Sequence, residues 1–130
     1  MLGLREPDIY GDQTLDDIKG KCLEWAQIHD ADIDFRQSNH EGELVTWIQD
    51  ARGLFDGIII NAAAYTHTSV AIHDALKLLD VPIIEVHISD PKTREEFRHI
   101  SFIESVASHV VAGQGGQGYV LALEKLSEVL

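Results

Sequence analysis

Two short runs constrain this chain more than anything else in it: Gly57-Ile58-Ile59-Ile60-Asn61 and Val81-Pro82-Ile83-Ile84-Glu85-Val86-His87-Ile88-Ser89. The first is wholly apolar until Asn61, so a strand made from it has apolar side chains on both faces and must be covered on both. Sheets of that kind are parallel, and parallel neighbours need crossovers, which are usually helices. The segments around the two runs have helical periodicity. Thr14 with Asp17 forms a capping-box pattern, and Leu15, Ile18, Cys22, Trp25 and Ile28 then recur at helical spacing to about residue 30. Further helices are predicted over 41–54, with Leu44, Ile48 and Ala51 inward, over 68–79 and over 119–130. A second capping-box pattern, Thr93 with Glu96, predicts a short helix over 93–98. Residues 31–37 alternate, Ile33 and Phe35 against Asp32, Asp34 and Arg36, and predict a strand with one exposed face or an edge position. A last strand is predicted over 106–112. Strands alternating with helices make a doubly wound α/β sandwich with a parallel sheet and right-handed crossovers. The 130 residues suit one domain with a single core, residues 1–130. Only four strands are countable, and the first helix has no strand before it.

Charge narrows the partners. Ten Lys plus Arg against 22 Asp plus Glu give a net charge of −12, which repels phosphate backbones and anionic membranes, so neither nucleic acid nor membrane is an expected partner. An anionic ligand would have to be captured by a few local cations and helix N-termini. A single cysteine, Cys22, excludes an internal disulfide and a cysteine zinc cluster, which fits a reducing, cytoplasmic setting. No membrane span or signal peptide is visible, and a soluble protein is expected. Seven histidines form no H-x-x-x-H or H-E-x-x-H pair, so no metal site is expected.

The polar ends of the strands carry the candidate chemistry. Glu85, His87 and Ser89 share one face of a strand where it meets solvent, which is where α/β sheets hold ligands. A carboxylate beside an imidazole fixes its tautomer and favours its charged form, which suits a proton donor. The same triplet also reads as a strand end that simply turns polar. Ser38-Asn39-His40-Glu41 and Asn61 with His67 end two other predicted strands, and three such ends on one sheet edge are more than loops require. Arg5 and Tyr10 lie in a glycine-flanked loop that reads either as a lid over that edge or as an ordinary surface loop. An unassisted tyrosine, with pKa ~10, is only about 0.1% phenolate at pH 7. An adjacent arginine can lower such a pKa by ~1 to 3 units. Gly113-Gln114-Gly115-Gly116-Gln117-Gly118 fits the dinucleotide pattern G-x-G-x-x-G, but no second strand with an acidic residue about 20 positions on can follow. A glycine-rich turn is the better reading. A phosphoacceptor receiver would need clustered acids after its first strand and a lysine after its last, and neither is present.

Five motifs, in order and spanning nearly the whole chain, carry a resemblance: Arg5-Glu6-Pro7-Asp8-Ile9-Tyr10-Gly11, Ser38-Asn39-His40-Glu41-Gly42-Glu43, Asn61-Ala62-Ala63-Ala64-Tyr65-Thr66-His67-Thr68-Ser69, Glu85-Val86-His87-Ile88-Ser89 and Arg94-Glu95-Glu96-Phe97-Arg98-His99. Together they resemble type II 3-dehydroquinate dehydratase. The resemblance implies a flavodoxin-like sheet of order 2-1-3-4-5 and dehydration of 3-dehydroquinate to 3-dehydroshikimate through an enolate, without metal, cofactor or Schiff-base lysine. It implies Tyr10 as the base, with Arg5 holding it as phenolate, and His87 as the acid, oriented by Glu85. Asn61, His67 and Arg98 would hold the substrate's hydroxyls and carboxylate, Ile88 and Ser89 would add backbone and hydroxyl contacts, and Arg94 would assist near the lid. Asp74 would reach a neighbouring subunit's site, within trimers assembled to a dodecamer. Two departures stand out. Ala62 replaces a common proline, and the family's first strand and Asn-Leu-Asn segment would fall before Met1, so the expectation is a sheet lacking a central strand. That asparagine holds the enolate oxygen in the family, and losing such a donor typically costs ~10² to 10³ in rate. The competing reading is therefore a catalytically impaired flavodoxin-like module that binds a small anion or only assembles with partners.

Overall fold

The computed structural model describes residues 14–130. Within them the order is α1 (Leu15–Ile28), α2 (Glu41–Asp50), β1 (Ile58–Ile60), α3 (Val70–Lys77), β2 (Ile83–His87), β3 (His109–Ala112) and α4 (Gln117–Val129), with single 3₁₀ turns between several of them. The strands form a parallel sheet of order β1-β2-β3, with Ile60 opposite Glu85, and Glu85 opposite Val110.

Strand alternation sorts the sheet's side chains between two helical layers. Ile58, Ile60 and Ile83 face α2 and α3, where they pack with Ile48, Ile72, Ala75, Leu76 and Ile103. Ile59, Ile84, Val86 and Ile88 face the other way, toward Ile18 and Cys22 of α1 and Ala122, Leu123 and Leu126 of α4. All five residues of β2 are buried, so its Ile84 and Val86 face is apolar while the polar side chains on its other face, Glu85 and His87, must find partners inside the protein. Glu85 and His87 share Ile83's face, so the polar pair is a continuation of the α2–α3 core surface.

Local signals explain the helix ends. Thr14 Oγ1 accepts the Asp17 N–H and Asp17 accepts the Thr14 N–H, both at 3.1 Å, so the predicted capping box opens α1. Ser69 Oγ accepts the Ile72 N–H at 2.9 Å and starts α3. Ile28, expected inward, is instead 72% exposed, since the buried stripe of α1 runs Ile18, Cys22 and Ala26.

Two predicted elements differ. Residues 31–37 form no paired strand among the described residues, because β1 has β2 as its one ladder partner there. Their alternation nevertheless survives as packing: Ile33 and Phe35 lean on the Ile18–Cys22–Leu123 cluster while Asp32, Asp34 and Arg36 stay exposed. The predicted helix over 93–98 is two separate 3₁₀ turns, Pro91–Thr93 and Glu96–Arg98. Asp90 takes over the capping, its side chain accepting the Lys92 N–H at 3.0 Å and its carbonyl accepting the Thr93 hydroxyl at 2.8 Å. Arg5 and Tyr10, and the chain start on which the missing-strand expectation rests, lie outside the described residues.

Candidate active site

The end of β2 places its two polar side chains side by side. His87 Nε2 lies 2.5 Å from Glu85 Oε2, with Glu85 1% and His87 8% exposed. A carboxylate only accepts, so Nε2 carries the hydrogen and Nδ1 is the nitrogen left to exchange a proton. The Ser101 hydroxyl donates to the same carboxylate oxygen at 2.8 Å. Glu85 Oε1 is buried with no hydrogen-bond partner among the described residues. The sequence reading did not find Ser101: a lone serine in a loop has no periodic or motif signal.

His87 opens onto a cavity of about 210 Å³ that His67, Arg98, His99 and Ser101 also line. Three of the sequence-predicted residues, His67, His87 and Arg98, therefore meet there. His67 Nδ1–H donates to the Ile100 carbonyl at 2.7 Å, which turns its Nε2 edge away from that bond. Arg98 Nε–H donates to Glu95 at 2.7 Å and its guanidinium lies 5.0 Å from the Phe97 ring centre. A hydrogen bond from its own backbone and then the Arg98 guanidinium hold the Glu95 carboxyl below the usual carboxylate range. With one of five N–H donors so occupied, Arg98 retains the fork that recognises a carboxylate. Among the described residues no three His, Cys, Asp or Glu side chains gather as a metal-binding group.

The other predicted residues are placed differently. Asn61 follows β1, donating through Nδ2 to the Tyr119 hydroxyl at 2.8 Å and accepting the Ala63 N–H at 3.0 Å. Both ends of its amide are thereby oriented, and Ala63 adopts φ +52° to complete the turn. Burial pushes the Tyr119 phenol up, against the opposing effect of the Asn61 bond. Ile88 is buried among α1 and α4, and its carbonyl accepts the Gly115 N–H at 3.0 Å. Ser89 Oγ lies 3.5 Å from Arg94 Nη1, and Arg94 Nε lies 3.9 Å from Glu95. Asp74 is exposed on α3 and does not line the cavity. The glycine-rich segment is a turn between β3 and α4, with Gly113 and Gly115 at positive φ and Gly118 packed on Val86 and Val111.

Comparison with known proteins decides the family. Residues 1–127 match the family model described as dehydroquinase class II. The chain belongs to the class II dehydroquinases. It is 52% identical over 130 residues to 3-dehydroquinate dehydratase 2 of Pseudomonas putida, covering all of this chain and 87% of that one. It is 54% identical over 128 residues to the 3-dehydroquinate dehydratase of Streptomyces coelicolor, covering 98% of this chain and 82% of that one. Among solved structures, the type II dehydroquinase of Butyrivibrio crossotus superposes with a TM-score of 0.94 at 43% identity, covering 97% of this chain and 88% of that one. The Propionibacterium acnes type II dehydroquinase gives 0.93 at 42%, covering 98% of this chain and 88% of that one. As a class II dehydroquinase the chain has the flavodoxin-like α/β fold, and its three parallel strands with helices on both faces are part of that architecture.

Proposed function

We propose that this chain dehydrates 3-dehydroquinate to 3-dehydroshikimate by stepwise elimination, with Tyr10 as base and His87 as acid. The observation that carries the reading is the buried Glu85–His87 pair facing a cavity that also holds Arg98 and His67. Tyr10, as phenolate beside Arg5, takes the proton next to the ketone and leaves an enolate. The enolate expels the hydroxyl, and the doubly protonated His87 gives its Nδ1 proton to it, so that water departs and a conjugated enone remains. Glu85 keeps Nε2–H during that transfer and so fixes which nitrogen acts. Arg98 takes the substrate carboxylate, an anion held by a local cation in a chain of net charge −12. Asn61, His67, Ile88 and Ser89 complete the substrate contacts, and Asp74 serves a neighbouring subunit within trimers of a dodecamer in the cytoplasm.

The test is the rise of enone absorbance when the purified protein meets 3-dehydroquinate. His87→Ala is expected to lower kcat by about 10²- to 10⁴-fold, the usual worth of a positioned acid, with a small change in KM. Unchanged kcat in that variant overturns the acid assignment. Binding of dehydroquinate without turnover in the unmodified chain would instead favour the non-catalytic module.

A further inference from the structure

We infer that Ser101 is a positioning residue for the acid, fixing the Glu85 carboxylate that in turn fixes His87; this rests on the proposed role of His87. A serine hydroxyl has one proton and two acceptor lone pairs. Ser101 Oγ accepts the N–H groups of Ile103 and Glu104, each at 3.1 Å. Both lone pairs are therefore taken, and the single proton points at Glu85 Oε2, 2.8 Å away. The hydroxyl cannot rotate to another partner without giving up a backbone bond.

The loop around Ser101 is tied on each side. On one side the Ile100 carbonyl accepts from His67 Nδ1 at 2.7 Å. On the other the Phe102 N–H donates to the Thr66 carbonyl at 2.9 Å and the Phe102 carbonyl accepts from His73 Nδ1 at 2.6 Å. Ile103, fully buried against α3, closes the segment. Ser101 is thus held to the 63–73 region and not carried on a free loop, which is what the support of a reacting group requires. The Glu85 carboxylate has two hydrogen-bond partners among the described residues, His87 and Ser101, both on Oε2. Without Ser101, His87 alone would orient a carboxylate whose other oxygen is unpartnered, and the side chain would gain freedom to turn away from Nε2.

The experiment is a double-mutant cycle on the full chain with 3-dehydroquinate. Ser101→Ala is expected to lower kcat by about 10- to 100-fold, the usual worth of a supporting hydrogen bond behind a reactive group, with KM within about two-fold. Ser101→Thr, which keeps the hydroxyl, restores kcat to within about three-fold. In a Glu85→Gln background Ser101→Ala has less than about two-fold further effect, because the two residues act as one unit. An equal loss in both backgrounds, or no loss in kcat, overturns the inference. A second readout needs no turnover: the His87 Nε2–H proton resonance is expected to be protected from exchange in the wild type and Ser101→Thr, and broadened in Ser101→Ala. Equal protection in all three overturns the inference. Ser101→Cys, close in size with a weak donor, gives the same pattern as Ser101→Ala should that variant not fold. If His87→Ala retains kcat, the acid reading fails by itself; if it loses kcat while Ser101→Ala changes neither kcat nor the resonance, only the positioning inference fails.

Discussion

Gly57 opens the apolar run that becomes β1, and a methyl group there is expected to destabilise the protein through a single neighbour. A Cβ built on Gly57 falls 2.5 Å and 2.7 Å from the two methyl carbons of Leu126 and 3.0 Å from its Cγ. Carbon atoms prefer about 3.5 to 4.0 Å, so the side chain must move by roughly an ångström. Leu126 is 9% exposed and packed with Ile84, Val86 and Ala122, which leaves it little room. Overpacking of this kind costs about 1 to 3 kcal/mol. Against it stands about 0.4 to 1 kcal/mol gained because alanine restricts the unfolded chain more than glycine does. Taking the middle of each range, about 2 against about 0.7 kcal/mol, Gly57→Ala destabilises by about 1.3 kcal/mol, a fall in Tm of roughly 5 °C for a domain of this size. Urea unfolding followed by circular dichroism measures it, with the slope unchanged if the denatured state is unaffected. The double variant Gly57→Ala/Leu126→Ala should show coupling, the second change costing less in the alanine background than alone. An unchanged or raised midpoint in the single variant, or strict additivity in the double, would refute the reasoning.

Ser69→Ala removes the side-chain cap of α3 and should cost about 1 kcal/mol, read as a lower urea midpoint. Arg98→Ala should raise KM for dehydroquinate by at least about tenfold, as loss of a charge-assisted bond of about 1.5 to 3 kcal/mol requires, and a kinetic titration with no KM change would remove Arg98 from the binding site. Burial raises both the Cys22 thiol and the Tyr119 phenol. Each group is protonated in the folded state at a pH where the unfolded chain has already lost the proton, so stability is full below the unfolded pKa values and falls as pH rises. The decline should begin near ~8.5 for the thiol and be joined near ~10 by the phenol, and Tyr119→Phe should remove the second part from a stability-against-pH curve.

What the sequence made legible depended on whether the signal was carried by the residue itself or by its partner. The isoleucines at 58–60 and the run ending in Glu85 and His87 have their burial written into them, and they form adjacent parallel strands with the polar pair at the carboxyl end. Thr14 and Asp17 cap each other across three residues, a purely local event. Residues 31–37 have strand periodicity, but a ladder also requires a neighbouring backbone, and periodicity says nothing about that. Thr93 failed as a cap because Asp90, three residues earlier, holds its hydroxyl and its N–H. Ser101 and Tyr119 reach the site across 16 and 58 residues, to Glu85 and Asn61, and no spacing rule spans such distances. The order of the five motifs, by contrast, survived any uncertainty about single elements, because each adds a separate constraint on the family.

The segment 31–37 is anchored differently from the sheet beside it. It is pinned at one end by the Ala31 N–H on the Ala26 carbonyl and at the other by the Tyr65 hydroxyl on the Asn39 carbonyl, with Ile33 and Phe35 packed between. Among the described residues it has side-chain packing and no backbone ladder, and amides held in that way exchange with solvent through small local openings, at a free energy well below that of global unfolding. Deuterium should therefore enter residues 32–36 long before it reaches Ile84 to Val86, and a protease given time should find its first cut in this stretch, while the Glu85–His87 pair still holds its shape.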